Sequence, residues 1–250
     1  MKLDFVERLG IQSFCFRGLP EHEQVVDALK ECGVNSVELA FTHYKPQEEK
    51  DHSAIVSFYR DRGIEISCYG AYWFSAGEKK PQPARPAFEF AKAAGFDTIC
   101  AMFDPSGFEI AEKLCEEYSM KVAIHNHGRR MRYGAVWELE EVFENTSPNI
   151  GLCLDTAWMQ DSGGDPIEVA RKFADRLYGV HIKDFVFDRS GRHQDVIVGE
   201  GNLDLPLFLK TLDEVGFDGF FTLEYEGDVD NPVPSTKKCV EAVRKAAASL

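Results

Sequence analysis

Two imidazoles two residues apart, in Lys121-Val-Ala-Ile-His-Asn-His127, share one face of an extended strand, because strand side chains alternate with period two. Three later apolar runs also end in ionisable residues: Leu152-Cys-Leu-Asp155, Gly179-Val-His-Ile-Lys183 and Thr222-Leu-Glu-Tyr-Glu226. By the same parity His181 goes with Lys183, and Glu224 with Glu226. If these runs are neighbouring strands, His125, Asp155, His181 and Glu224 converge at their carboxyl ends. Imidazole and carboxylate donors suit one divalent cation, with Mn, Co, Zn and Mg all compatible. Crowded titratable groups also suit proton transfer. The bland alternative is a polar network that satisfies itself inside the core. A buried unpaired charge is costly, and four such strands in succession favour a site.

Other residues extend the picture. His127 reads as ligand, proton shuttle or support, and spacing leaves the three open. Lys183 is placed to steady a developing oxyanion. Glu38 has inward parity in Val37-Glu-Leu-Ala40 and could hydrogen-bond a sugar or a metal-bound histidine, with a cap or salt bridge as the alternative. Trp73, among the aromatics Phe14, Phe16, Tyr69, Tyr72 and Phe74, and Trp158, just after Asp155, could wall a pocket or simply fill core. His43 and His193 fall in loops open to solvent, and Glu48-Glu-Lys-Asp-His52 reads as exposed helix surface. No Gly-x-Ser-x-Gly elbow, P-loop or dinucleotide fingerprint is present.

Strands must carry these groups, and the chain offers eight. The candidates are Gly10–Phe14, Ser36–Ala40, Glu65–Tyr69, Thr98–Met102, Lys121–His127, Gly151–Asp155, Gly179–Lys183 and Phe221–Tyr225. Amphipathic spacing predicts helices at Glu21–Cys32, Ala84–Ala94, Glu109–Tyr118, Ala135–Asn145, Pro166–Ala174, Leu205–Val215 and Thr236–Ala248. Gly33, Gly63, Gly95 and Gly216 close helices ahead of the next strand, marking one unit reused. Regular strand–helix alternation over 250 residues predicts an α/β fold, a single (β/α)8 TIM barrel over residues 1–250. An open doubly wound sheet would show a glycine-rich phosphate turn after its first strand, and Phe14-Cys-Phe-Arg-Gly-Leu-Pro20 is not one.

Composition narrows the function classes. A formal net charge of −14 repels phosphate backbones, so nucleic acid is not an expected partner. It also favours a neutral, unphosphorylated ligand. Seven scattered cysteines without a Cys-x-x-Cys pair fit a reducing compartment. With no leader-like start and no long apolar run, a cytoplasmic protein without membrane partners is expected.

Ala123-Ile-His-Asn-His127, Gly151-Leu-Cys-Leu-Asp-Thr156, Gly179-Val-His-Ile-Lys-Asp184, Val198-Gly-Glu-Gly-Asn202 and Thr222-Leu-Glu-Tyr-Glu-Gly227 carry a family resemblance. Over nearly the whole chain, most strongly from Lys121 to Gly227, it resembles the xylose-isomerase-like barrels of the sugar phosphate isomerases and epimerases. The resemblance implies metal ligation by Asp155, His181 and Glu224, with His125 as fourth ligand where many members carry Glu. It implies proton abstraction alpha to a sugar carbonyl, with Glu224, His125 or His127 as base, leading to isomerisation or epimerisation. Glu200 lies in the family's loop before the seventh helix, on the substrate side. Trp158 stands where many members have His. Inosose dehydratases are similar in their His-x-His phrase, which makes a dehydratase or lyase of a keto-sugar or keto-inositol the alternative. A non-catalytic sugar-binding barrel is the reading from another class. The resemblance implies a small-molecule sugar as partner and a homodimer or homotetramer as the assembly.

Overall fold

A computed structural model describes residues 3–75 and 84–250. Seven parallel strands follow in order: β1 (Gly10–Gln12), β2 (Ser36–Ala40), β3 (Glu65–Phe74), β4 (Thr98–Phe103), β5 (Lys121–His125), β6 (Ile150–Asp155) and β7 (Leu177–Ile182). A short antiparallel hairpin comes next, β8 (Phe185–Phe187) and β9 (His193–Asp195), and β10 (Phe220–Leu223) is the last stave. The barrel closes in the order β1-β10-β7-β6-β5-β4-β3-β2. This is the closed parallel barrel expected from the alternation of apolar runs.

Helices pack outside it: α1 (Asp4–Glu7), α2 (His22–Glu31), α3 (Ser53–Arg60), α4 (Arg85–Ala94), α5 (Phe108–Tyr118), α6 (Val136–Asn145), α7 (Thr156–Asp161), α8 (Pro166–Lys172), α9 (Leu205–Glu214) and α10 (Val233–Ala248). None among the described residues is long and apolar enough to cross a membrane. The seven expected helices all form, with ends shifted by a few residues. The glycines expected to close helices do adopt left-handed φ, from 70° at Gly33 to 90° at Gly95, where a side chain would be strained.

Strand ends differ from expectation where side chains take over the ladder. β1 stops at Gln12 because Ser13 turns into a 3-10 helix and its Oγ accepts the Ala40 N–H at 2.8 Å. β5 stops at His125, not His127. The Asn126 side chain pairs with β6 instead, donating to the Asp155 carbonyl (3.1 Å) and accepting its N–H (2.9 Å). That amide acts as a splint between the two strand ends. β3 runs on to Phe74, carrying the aromatic run inside the sheet. Tyr69 and Phe74 on that strand are core rather than pocket wall, as is Phe16 in the turn after β1. His52, expected on an exposed helix face, is buried with Nδ1 2.6 Å from the Tyr44 hydroxyl.

Gly70 on β3 is where packing and site meet. A Cβ there would lie 2.6 Å from Cys100 Cβ and closer still to Glu38 Oε1. The bare backbone leaves Glu38 its space. Gly70→Ala is expected to destabilise the fold by about 1–3 kcal/mol through overpacking. A lower urea midpoint at unchanged slope would show it.

Candidate functional site

Parallel register sets the site before any side chain is considered. His125 is paired with Cys153, Asp155 with His181, and His181 with Thr222. Glu224 follows directly after β10, its N–H still bonded to the Ile182 carbonyl at 3.2 Å. His125, Asp155, His181 and Glu224 are all buried, and each offers a ligand atom within 4.8 Å of the others. His125 Nε2 lies 3.4 Å from Glu224 Oε2 and 3.8 Å from Asp155 Oδ2, and His181 Nδ1 lies 3.3 Å from Glu224 Oε2. Ligands at about 2.1 Å around a tetrahedral ion stand about 3.4 Å apart. The spacing fits one cation.

Unpaired atoms point the same way. Among the described residues, Asp155 Oδ2 and His181 Nδ1 are buried without a hydrogen-bond partner, which a folded core rarely tolerates. Asp155 Oδ1 is occupied by the Trp158 N–H at 2.8 Å, capping α7 and fixing the carboxylate's orientation. On the far side of the His181 ring, Nε2 donates to Glu38 Oε2 at 2.8 Å, and Glu38 Oε1 accepts from Gln12 Nε2 at 3.0 Å. A carboxylate on the distal nitrogen fixes the tautomer and raises the basicity of the nitrogen facing the cluster. Of the two readings open for Glu38, hydrogen bonding to a cluster histidine is the one observed.

The electrostatics are those of dry, opposed charges. Burial raises the Asp155 carboxyl well above the usual range, with Lys183 pulling against it and Glu224 adding to the rise. Burial would raise Glu224 too, but Lys183, His125 and His181 overcome it and hold Glu224 well below that range. His181 is raised despite burial because Glu38 stabilises the imidazolium, whereas burial lowers His125. Lys183 is 1% exposed. Burial opposes its charge, yet Glu224, Glu226, Asp155 and Asp195 keep it protonated. Its Nζ is bonded to Glu226, 3.7 Å from Glu224 Oε2 and 4.0 Å from Asp195 Oδ1. Lys183 thus lies beside the cluster as a fixed positive charge.

His127 occupies the rim. Its ring centroid is 5.5 Å from that of His125, and it stacks on Trp158 at 4.3 Å and 24°. Burial and the adjacent His125 lower its pKa to about 4, so it is neutral near pH 7. Among the described residues no hydrogen bond engages its ring. Trp158 also meets His193 and Phe185 edge-on, at 4.7 and 5.0 Å, so the hairpin is stitched to the rim. His193 is exposed as expected, but its ring is stacked on Phe185 at 4.5 Å. His43, also expected in solvent, has its ring between Ser13 Oγ and the Leu19 carbonyl, each at 3.0 Å.

Two expected substrate contacts are not brought to the cluster. Trp73 is half-buried on β3 and donates its indole N–H to Asp104 Oδ2 at 3.2 Å. Glu200 is exposed, and no hydrogen bond or ion pair among the described residues joins it to the cluster. Its loop is organised from within: the Asp184 carboxylate accepts the N–H groups of Gly199, Gly201, Asn202 and Leu203 at 2.9–3.0 Å. Amides already given to Asp184 are not free to hold a phosphate. Gln12, Asn126, Asp195 and Glu226 were not singled out as site residues. Gln12 had a signal, a polar side chain within the strand candidate Gly10–Phe14, and Glu226 shared parity with Glu224. Asp195 had none, since Gly191-Arg-His-Gln-Asp195 carries no apolar run that would read as a strand.

A family model described as xylose isomerase-like TIM barrel matches residues 106–246. An inosose dehydratase of Geobacillus kaustophilus is 30% identical over 155 residues, covering 55% of this chain and 50% of that protein. The match thus spans about half the length of that curated relative. Among solved structures, the probable 3-DHS dehydratase AsbF from Bacillus anthracis superposes with TM-score 0.76 at 16% identity, covering 95% of this chain and 98% of that one. An IOLI protein solved with a zinc atom gives TM-score 0.74 at 15% identity, covering 97% of each chain. Identities this low show a shared fold.

Titration of purified protein with Mn2+ by calorimetry tests the cluster. Asp155→Ala should abolish binding at this site, and Glu38→Gln should weaken it by about 10- to 100-fold, as loss of a histidine's supporting carboxylate does. Affinity should fall as pH is lowered, because protons compete for His181 and Asp155, both raised in the ion-free cluster. Equal affinities in all three proteins would remove the ion from this site.

Proposed function

The chain belongs to the xylose isomerase-like TIM barrel family, and on that premise we propose that it is a divalent-metal-dependent dehydratase acting on a cyclic keto-polyol of the keto-inositol class. The observation that carries this is the rim: one neutral imidazole, His127, without a hydrogen bond among the described residues, facing a set of carboxylates that are already engaged. Epimerisation through a matched pair of carboxylates lacks its second member, because His125 stands at the fifth strand. The dehydratase names of the related proteins support the same choice.

A cation held by His125, Asp155, His181 and Glu224 would supply Lewis acidity to the substrate's carbonyl and neighbouring hydroxyl oxygens. His127 takes the proton alpha to the carbonyl, and the electron pair moves onto the carbonyl oxygen. Lys183 adds fixed positive charge beside that oxygen. When the pair returns, the beta carbon–oxygen bond breaks. The hydroxyl leaves with the proton that His127 carries, so one water is lost and the imidazole is neutral again. A single base on one face suffices. Trp158 stacked beneath His127 holds the ring in orientation and offers an apolar face to the substrate ring. Isomerisation, the first expectation from sequence, shares the proton abstraction but returns the proton to carbon.

The test uses metal-loaded protein, a panel of keto-inositols and keto-sugars, and deuterated water, with products read by mass. Loss of one water is expected. Deuterium on carbon at unchanged water content would give the isomerase reading, and binding without turnover the non-catalytic one. His127→Asn should lower kcat by about 10²–10⁴ at unchanged metal content.

A further inference from the structure

Below the cluster the barrel interior carries a layer of sulfur. Cys68 on β3, Cys100 on β4 and Cys153 on β6 are fully buried and pack together against Ala123. The chemistry above makes no use of them. Cys100, Cys153 and His181 each offer a ligand atom within 4.8 Å of the others, and Cys100 Sγ is 4.0 Å from His181 Nε2. All seven cysteines are free thiols. A disulfide is not the natural link here. β5 separates β4 from β6, putting their backbones about 9–10 Å apart, beyond the roughly 7 Å that a disulfide spans.

An ion spans that gap more easily. Thiolate and imidazole are donors for soft and borderline cations. With bonds of about 2.3 Å to sulfur and about 2.0 Å to nitrogen, ligands around a tetrahedral ion stand about 3.5–3.8 Å apart, so the 4.0 Å between Cys100 Sγ and His181 Nε2 asks only a small inward shift. Two thiolates also neutralise a dication, so the dry layer gains no net charge. We infer that Cys100, Cys153 and His181 form a second cation site, for a thiophilic divalent ion such as Cd2+, which competes with the upper cluster for one imidazole.

The competition follows from the two ring nitrogens. The upper cluster needs the lone pair of His181 Nδ1 while Nε2 keeps its hydrogen for Glu38. The sulfur site needs the lone pair of Nε2, which sends the hydrogen to Nδ1 and gives up the bond to Glu38. One neutral ring cannot serve both. Occupation of the lower site therefore disables the upper one without any change in its other three ligands.

Titration of wild-type protein with Cd2+ tests this through the ultraviolet sulfur-to-cadmium charge-transfer band, which oxygen and nitrogen ligands do not give. The band is expected to saturate at one equivalent, to vanish in Cys100→Ala and in Cys153→Ala, and to survive in Asp155→Ala. Presaturation with Mn2+ should raise the Cd2+ required by about tenfold. Absence of the band in wild type overturns the site, as does its persistence in both cysteine variants with native circular dichroism. An unchanged Cd2+ requirement in the presence of Mn2+ overturns the shared histidine.

Discussion

One imidazole caught between two carboxylates sets the terms for the upper end of this barrel. His181 is sealed from solvent, bonded to Glu38 through one nitrogen and facing Glu224 with the other. In such a dry place a lone carboxylate would be intolerable, and each charge is admitted because another answers it. Glu38 is answered by His181 and Gln12, Glu224 by Lys183 and both histidines, and Lys183 in turn by Glu226 and Asp195. Asp155 is the member left short, with one oxygen unpaired and its carboxyl pushed toward the neutral form. That deficit is what a positive ion would remove.

Much of this was legible because a strand's two-residue period is unforgiving. Once Lys121–His125, Ile150–Asp155 and Leu177–Ile182 are adjacent strands, parity alone brings His125, Asp155 and His181 to one interior. What stayed hidden is whatever depends on side chains standing in for backbone. Ser13 ends β1 early, Asn126 ends β5 early, and Asp184 gathers the loop around Glu200. None of these has a periodic signature, because each is a single residue bonding to a chain segment remote or offset from its own strand. The aromatics were ambiguous for another reason. Tyr69 and Phe74 are equally good as core and as pocket wall, and only the continuation of β3 through them decides for core.

The rim separates this barrel from a two-carboxylate design. On the proposed reading, a neutral histidine stacked on tryptophan and a lysine that keeps its proton divide the work of base and cation. Such a pair would move a proton on one face and tolerate charge building on the neighbouring oxygen. Symmetric exchange between two faces would call for like groups on both sides. The sulfur layer beneath adds a different asymmetry, since the same histidine ring touches hard donors above and soft donors below.

Asp184 accepts four backbone amides, from Gly199 and from Gly201 through Leu203, so that turn hangs from one buried carboxylate. A segment anchored in this way behaves as a fixed cornice rather than a door. Loops that must swing to admit a guest cannot be tethered at nearly every residue. Any widening of the barrel mouth therefore has to come from loops other than this ledge.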